Sequence, residues 1–205
     1  MCTALMALHA MTHCDTTSAF KGVGKVRPIK LLKKSEVFQD TMSKLGDTWE
    51  IPARLSDELE QFTCAIYGRG RFKSVDAARA AILKEKCGGA EGNINLSRTV
   101  DLGQLPPCQK ALHQHIRRAN YQVGIWKAAH VPQPRIPQAT DGHGWTTIDD
   151  KLQPLWFLGP IIPEDVGVED DSLASDNEIT SSDSEPEQDE ESVENIMSGS
   201  DSDDD

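Results

Sequence analysis

The sequence predicts a mainly α-helical protein with a disordered acidic tail, and three observations lead to this fold class. Apolar residues recur at helical spacing through most of the first 130 residues, and Ser, Pro and Gly stand where helices begin and end. Almost no segment demands a β-strand. The last 42 residues are acidic and contain no aromatic side chain, which is typical of disorder.

The charge is unevenly distributed. Residues 164–205 hold 18 of the 33 acidic residues and no Lys or Arg. Residues 1–163 hold all 21 basic residues and 15 acidic ones, a net charge of +6. Such asymmetry is typical of proteins that bind nucleic acid or basic proteins. We therefore expect a cationic helical body and a tail that stays unfolded, because its scattered apolar residues cannot offset the entropy of ordering.

Composition excludes several protein classes. The five cysteines form no CxxC pair, which argues against a disulfide framework or a zinc site. The fairly apolar start lacks the basic region of a signal peptide. No run approaches the ~20 apolar residues of a membrane span. We expect an intracellular, nuclear protein that does not enter a membrane.

The first three helices follow from local signals. Residues 2–12 are dense in Ala, Leu and Met, and this nearly all-round apolar helix needs partners on several sides. A short helix is predicted over residues 26–34, with Pro28 in its first turn. Ser35 caps the next helix, which ends near Gly46.

Three more helices follow. Ser56 is predicted to cap one that Gly68 stops, and Ser74 opens another that ends at Gly88. Residues 88–105 are predicted to be loop. The clearest helix begins after Pro107 and runs to about residue 130. One face of it carries Leu112, Ile116, Ala119, Val123 and Trp126, and the opposite side carries Lys110, Arg117 and Arg118.

Residues 13–25 predict an anion site. Gly22 and Gly24 permit tight turns and let backbone amides approach a ligand closely. The helix that follows adds a partial positive charge at its N-terminus, which suits a phosphate. The candidate phosphate-binding residues are Gly22, Gly24, Lys25, Arg27, Lys30, Lys33 and Lys34.

The same stretch resembles the helix–hairpin–helix section of the flap-endonuclease-like nucleases of the PIN-like superfamily. The chain matches that pattern at Cys14, Asp15, Gly22, Gly24, Leu31 and Leu32. It departs from the pattern at His13, where the family has Gly, and at Pro28, where it usually has Ala. More widely, the body resembles transposon-associated animal proteins with HALTGCDTTS, LPP, RRANYQ, IW and GHGW segments. Here these correspond to residues 9–18, 105–107, 117–122, 125–126 and 142–145.

The resemblance implies a function and a domain organisation. Residues 1–46 would be the end of a PIN-like α/β core with its helix–hairpin–helix, and residues 47–131 a helical region. Residues 132–163 would be a Pro/Gly-rich segment with GHGW, followed by the tail. In the family, the Asp that matches Asp15 helps hold catalytic Mg²⁺ for phosphodiester hydrolysis, and the hairpin grips a DNA phosphate.

The family's other carboxylates precede this motif, whereas no acidic residue precedes Asp15 here. We therefore expect a partial or degenerate nuclease-related protein that binds DNA weakly through phosphates and lacks a complete Mg²⁺ site and activity of its own. Asp40, Asp47, Asp57 and Glu58 follow in no matching pattern.

Other interpretations stay open. Asp15 alone is commonly a helix cap or turn residue, a lone G-x-G is commonly a turn, and the lysines equally fit a solvated face. The GHGW segment is either a site or a structured loop that packs its tryptophan. One rival is an interaction protein whose tail, residues 164–205, binds basic partners such as histones. Another is a nuclease completed by carboxylates from another chain or from upstream sequence.

Overall fold

The computed structural model describes residues 2–87 and 101–159. For Cys2, the description covers the backbone alone. Within these ranges the protein is mainly helical, which confirms the predicted class. The predicted tail and most of the predicted loop at residues 88–105 lie outside the described residues. The helices are α1 (Cys2–Thr12), α2 (Val26–Lys34), α3 (Glu36–Lys44), α4 (Ala53–Ile66), α5 (Val75–Cys87) and α6 (Gln109–Ala128). A 3₁₀ turn (Leu102–Gln104) and two strands, β1 (Trp145–Ile148) and β2 (Lys151–Pro154), complete the described elements.

The capping residues in the sequence predicted the start of α3 correctly and the start of α4 incorrectly. The Ser35 hydroxyl accepts a hydrogen bond from the Phe38 N–H at 3.3 Å, as predicted for α3. The predicted start of α4 at Ser56 was wrong. Pro52 precedes the first helical residue, Ala53, and its carbonyl accepts from the Ser56 N–H at 3.1 Å. A proline suits this position because its fixed φ is compatible with the helix start and it has no N–H to lose.

The core forms where α1 and α6 meet. The all-round apolar character of α1 is explained by its neighbours, because α1 packs against α2, α3 and α6. Three alanines on α1 let the helices approach closely. Each buried Leu or Ile contributes about 1.5–3 kcal/mol to the free energy of unfolding. The fully buried residues of the two helices are Ala4, Ala7, Ala10, Met11, Leu112, Ile116, Ala119 and Val123. No helix in the described part of the chain is long and apolar enough to cross a bilayer.

Strands β1 and β2 form an antiparallel hairpin that the sequence did not predict. Trp145 pairs with Pro154, and Ile148 pairs with Lys151. The two turn residues, Asp149 and Asp150, have φ of 50° and 57°. A two-residue hairpin turn of type I′ requires such left-handed conformations at both positions, and Asn-Gly or Asp-Gly is its usual sequence signal. The Asp-Asp pair adopts the turn without giving that signal.

Arg118 corrects a second expectation. Helical spacing predicts it on the exposed face of α6, but it is only 2% exposed. Its Nη1 donates to the carbonyl oxygens of Gly144 at 3.0 Å and Leu155 at 2.7 Å. A buried guanidinium requires such acceptors, and here it fixes the GHGW segment and the chain after β2 onto α6.

Two glycines bring the end of α3 against α6. Gly46 has a φ of 77°, and a Cβ there would lie 2.6 Å from the Gly124 nitrogen. Buried Asn120 reinforces the contact, since its Oδ1 accepts from the Gly46 N–H at 2.7 Å. Its Nδ2 donates to the carbonyl oxygens of Thr48 and Trp49. The loop after α3 is therefore held by backbone contact and by side-chain hydrogen bonds.

Replacing Gly144 by Ala is expected to destabilise the protein more than replacing Gly142 by Ala. Both glycines have φ near 80°, so both substitutions carry left-handed strain of roughly 1–2 kcal/mol. A Cβ at Gly144 would also lie 2.5 Å from the Gln114 carbonyl oxygen, whereas one at Gly142 meets nothing within 4 Å. Urea unfolding should show an extra loss of about 1–3 kcal/mol for Gly144→Ala. Equal losses would show that the GHGW segment does not rest on α6.

His115 is expected to make stability depend on pH. The residue is 5% exposed, and its Nε2 lies 2.8 Å from the Met11 carbonyl oxygen, to which it donates. Burial lowers the pKa of His115 to about 4, against about 6.5 when unfolded. The unfolded state therefore takes up the proton first. The stabilisation is complete above pH ~6.5 and is lost as pH falls towards 4, with a total of about 3 kcal/mol.

Urea unfolding between pH 7.5 and 4 measures this loss. His115→Gln should be less stable at neutral pH and should lose less stability on acidification than the wild type. His130→Gln, at an exposed position beyond α6, is the matched control and should keep the wild-type pH dependence. An unchanged pH dependence in His115→Gln would contradict the assignment.

Candidate nucleic-acid interface

Residues 13–25 join α1 to α2 as a folded hairpin. His13, where the resembling nucleases have Gly, has a φ of 125°, in the left-handed region that favours glycine. The Thr17 N–H donates to the Cys14 carbonyl oxygen at 3.3 Å. The Thr17 hydroxyl donates to the Ala10 carbonyl oxygen at 2.6 Å, which ties the turn to the end of α1. The turn therefore forms with histidine at this position, through hydrogen bonds made by Thr17.

Asp15 lies at the exposed tip of this turn. A Mg²⁺ ion requires several oxygen ligands, commonly from more than one carboxylate. Within residues 2–87 and 101–159, no three His, Cys, Asp or Glu side chains lie together as a metal site requires. The described residues therefore do not supply Asp15 with the group of ligands that such an ion requires.

Lys25 contacts the C-terminal end of α1. Its Nζ donates to the carbonyl oxygens of His9, at 3.2 Å, and His13. It also donates to the Thr12 hydroxyl at 3.1 Å. A cation at this end of a helix stabilises the exposed carbonyls and the helix dipole. Burial lowers the pKa of Lys25, and the neighbouring Cys14 opposes this shift. Of the predicted phosphate contacts, Lys25 is thus the one engaged inside the fold.

The other lysines of α2 face solvent. The helix buries Pro28 and Leu32, which leaves Lys30, Lys33 and Lys34 exposed. These three make no ion pair with any residue that the structure describes. They form a solvated cationic face beside the hairpin.

Gly22 and Gly24 border open space. Gly22 has a φ of 77°, and a Cβ added at either glycine would meet no atom within 4 Å. Among the described residues, Gly22 and Arg27 line a cavity of about 380 Å³. Three further cationic side chains line it: one from the hairpin, one from the loop after α4 and one from α5. We term this cavity the cationic pocket; its charged residues are Lys21, Arg27, Arg69 and Lys86.

Two carboxylates partly neutralise the cationic pocket. Asp101 pairs with Lys21 at 2.8 Å, and this hydrogen bond lowers the pKa of the Asp101 carboxyl. Glu85 pairs with Arg69. Arg27 makes no ion pair within the described ranges, and its guanidinium covers Gly68. Among the described residues, four cations against two carboxylates leave the pocket net positive.

Sequence reasoning missed three of the four cations of the pocket: Lys21, which lies within the predicted hairpin, and Arg69 and Lys86, which do not. Arg69 follows the end of α4, and Lys86 lies in the last turn of α5, far along the chain from the hairpin. An isolated basic residue near a helix end gives no signal, since it normally faces solvent. The packing of α4 against α2 and α5 brings these residues to Gly22. The predicted residues Gly24, Lys25, Lys30, Lys33 and Lys34 are not part of the cavity lining.

Comparisons with protein-family models, with curated proteins and with solved structures found no match.

Proposed function

We propose that this protein binds nucleic acid through phosphate contacts at the cationic pocket and the adjoining hairpin. The observation that carries the proposal is the meeting of an open glycine hairpin with four cationic side chains in one cavity of about 380 Å³. Phosphate contacts of this kind supply affinity without reading sequence.

The backbone supports the same conclusion. No Cβ covers Gly22 or Gly24, so a phosphate can approach the chain closely. The residue before α2, Lys25, provides no side-chain cap, which leaves the first N–H groups of the helix for an anion. Arg27 lies in this first turn. The lysines of α2 extend positive charge away from the pocket along the helix.

The proposal includes an origin among PIN-like nucleases, without a complete Mg²⁺ site, and a nuclear location. The left-handed φ at His13, where the nucleases have Gly, supports a hairpin of the same type. We propose no cleavage step for this chain.

Neutralising the pocket is expected to weaken DNA binding by the full-length protein. In Arg27→Gln/Lys86→Gln the dissociation constant should rise about tenfold, and the log–log slope of affinity against salt should fall by about one unit for each phosphate that is no longer bound. The control, Lys44→Gln/Arg54→Gln, makes the same charge change away from the pocket, where these residues pair with Asp40 and Glu58.

Fluorescence anisotropy with labelled duplex and single-stranded DNA, at several salt concentrations, measures both quantities. Equal effects of the two double variants would reject the cationic pocket as the interface. If the wild type binds neither DNA at low salt, the proposed function is wrong, and an interaction protein with basic partners becomes the better hypothesis.

Asp101→Asn is expected to raise DNA affinity several-fold at low salt. The Asp101 carboxylate holds Lys21 through both oxygens, at 2.8 and 3.1 Å, and thus competes with a phosphate. Asn keeps an oxygen to accept the Gly103 N–H, so the 3₁₀ turn should persist. Asp40→Asn, which releases Lys44 on α3, is the control and should change affinity little. Equal gains in both variants would mean that only net charge matters.

A further inference from the structure

A second cavity, of about 300 Å³, lies beside α6, between the loop after α3 and the loop before β1. Cavities of about 300–1,000 Å³ are the usual size of small-molecule sites. Its side-chain lining comes from three separate segments: Trp49, Glu50, Ile51, Arg117, Asp141 and His143. None of these residues belongs to the cationic pocket.

The loop after α3 forms one wall of the cavity, and hydrogen bonds from α6 fix this wall. Asn120, only 1% exposed, donates to the carbonyl oxygens of Thr48 at 2.8 Å and Trp49 at 3.1 Å. The Trp49 ring lies over Gly124, where a Cβ would come within 2.7 Å of it. The position of this indole is therefore set before any ligand arrives.

The opposite wall is fixed by aromatic stacking. His143 is 5% exposed, and its ring stacks on Tyr121 with centroids 4.9 Å apart and planes 22° apart. The Tyr121 hydroxyl donates to the Pro137 carbonyl oxygen at 2.9 Å, which holds the stack in place. Trp49 meets both rings, with centroids 5.7 Å from Tyr121 and 6.3 Å from His143. Both walls are thus preorganised, which reduces the entropic cost of binding.

The charged groups of this cavity are available to a ligand. Glu50, Asp141 and Arg117 are exposed, and none of them forms an ion pair with a described residue. Two carboxylates repel a phosphate, and the guanidinium repels an amine. The lining instead suits a neutral, planar ligand with hydrogen-bond donors on one edge and acceptors on another.

Guanine has these edges. Its N1–H and N2–H are adjacent donors that match the two oxygens of one carboxylate, and its O6 and N7 accept from the fork of an arginine. Adenine and cytosine place an acceptor beside the donor, and uracil places one on each side. With any of these three bases, one carboxylate oxygen would face a lone pair of the base and be repelled by it. Trp49 supplies an aromatic surface for stacking.

We propose that this cavity binds a guanine base, with Asp141 or Glu50 accepting from its N1–H and N2–H and Arg117 donating to its O6 and N7. The base comes from a free nucleotide or from an unpaired residue of a nucleic acid. This inference goes beyond the proposed function and does not rest on it, because it uses no residue of the cationic pocket.

Titration calorimetry of the full-length protein with nucleosides, which carry no phosphate, tests the proposal. The dissociation constant of guanosine should be lower than those of adenosine, cytidine and uridine by a factor of about ten or more. Inosine, which lacks the 2-amino group, should bind more weakly than guanosine. Glu50→Gln/Asp141→Asn should reduce guanosine affinity at least tenfold, and Arg117→Gln should also reduce it.

The matched control is Asp149→Asn/Asp150→Asn, which removes the same charge at the β-hairpin turn and should leave guanosine binding unchanged. Arg27→Gln/Lys86→Gln should keep guanosine selectivity, so failure of DNA binding and failure of this proposal are distinguishable. Single-stranded oligonucleotides with one guanine or one adenine identify the source of the base. The proposal would be overturned if guanosine bound no more tightly than the other nucleosides. It would also be overturned if Glu50→Gln/Asp141→Asn and Asp149→Asn/Asp150→Asn reduced guanosine affinity equally.

Discussion

The close packing of α1 on α6 is the interaction on which the rest of the described structure depends. Three alanines of α1 and four apolar residues of α6 are fully buried, so neither helix has a stable surface without the other. The hydrogen bond from His115 to Met11 fixes their relative position inside this apolar contact. Helices α2 and α3 pack on α1, α4 packs on α6, and α5 packs in turn on α4. The hairpin is positioned by the same contact, because it begins where α1 ends.

Helix α6 also organises segments that have little regular structure. Arg118 and Asn120 are both buried, and each donates to loop carbonyl oxygens that would otherwise need water. Loops held in this way are ordered without forming a sheet or a helix. In the cavity lined by Trp49 and His143, Asn120 holds the wall that follows α3, and Arg118 bonds Gly144, the neighbour of His143 in the opposite wall. The cationic pocket depends instead on packing among α2, α4 and α5. The two cavities are therefore built by different physical means.

Local signals were sufficient for most of the helices. The starts of α3 and α5 followed from Ser35 and Ser74, and the buried face of α6 followed from apolar spacing. The signals failed where conformation depends on residues distant in sequence. Arg118 has the pattern of an exposed residue, and only the position of the GHGW segment makes its burial favourable. Asp149 and Asp150 adopt a hairpin turn for which their sequence is a weak indicator.

The contact between Gly46 and Gly124 also has an evolutionary consequence. Most core contacts join side chains, and such contacts accept substitutions when neighbours repack. Here backbone meets backbone, and a Cβ on Gly46 would fall 2.6 Å from the Gly124 nitrogen and 2.7 Å from the Val123 carbonyl carbon. No change in a neighbouring side chain relieves that clash, whereas a Cβ on Gly124 would instead lie 2.7 Å from the side chain of Trp49. As the sequence diverges, the surrounding core is free to exchange its residues, whereas the backbone contact constrains position 46 to glycine and the Trp49 ring constrains position 124 for as long as the indole is kept.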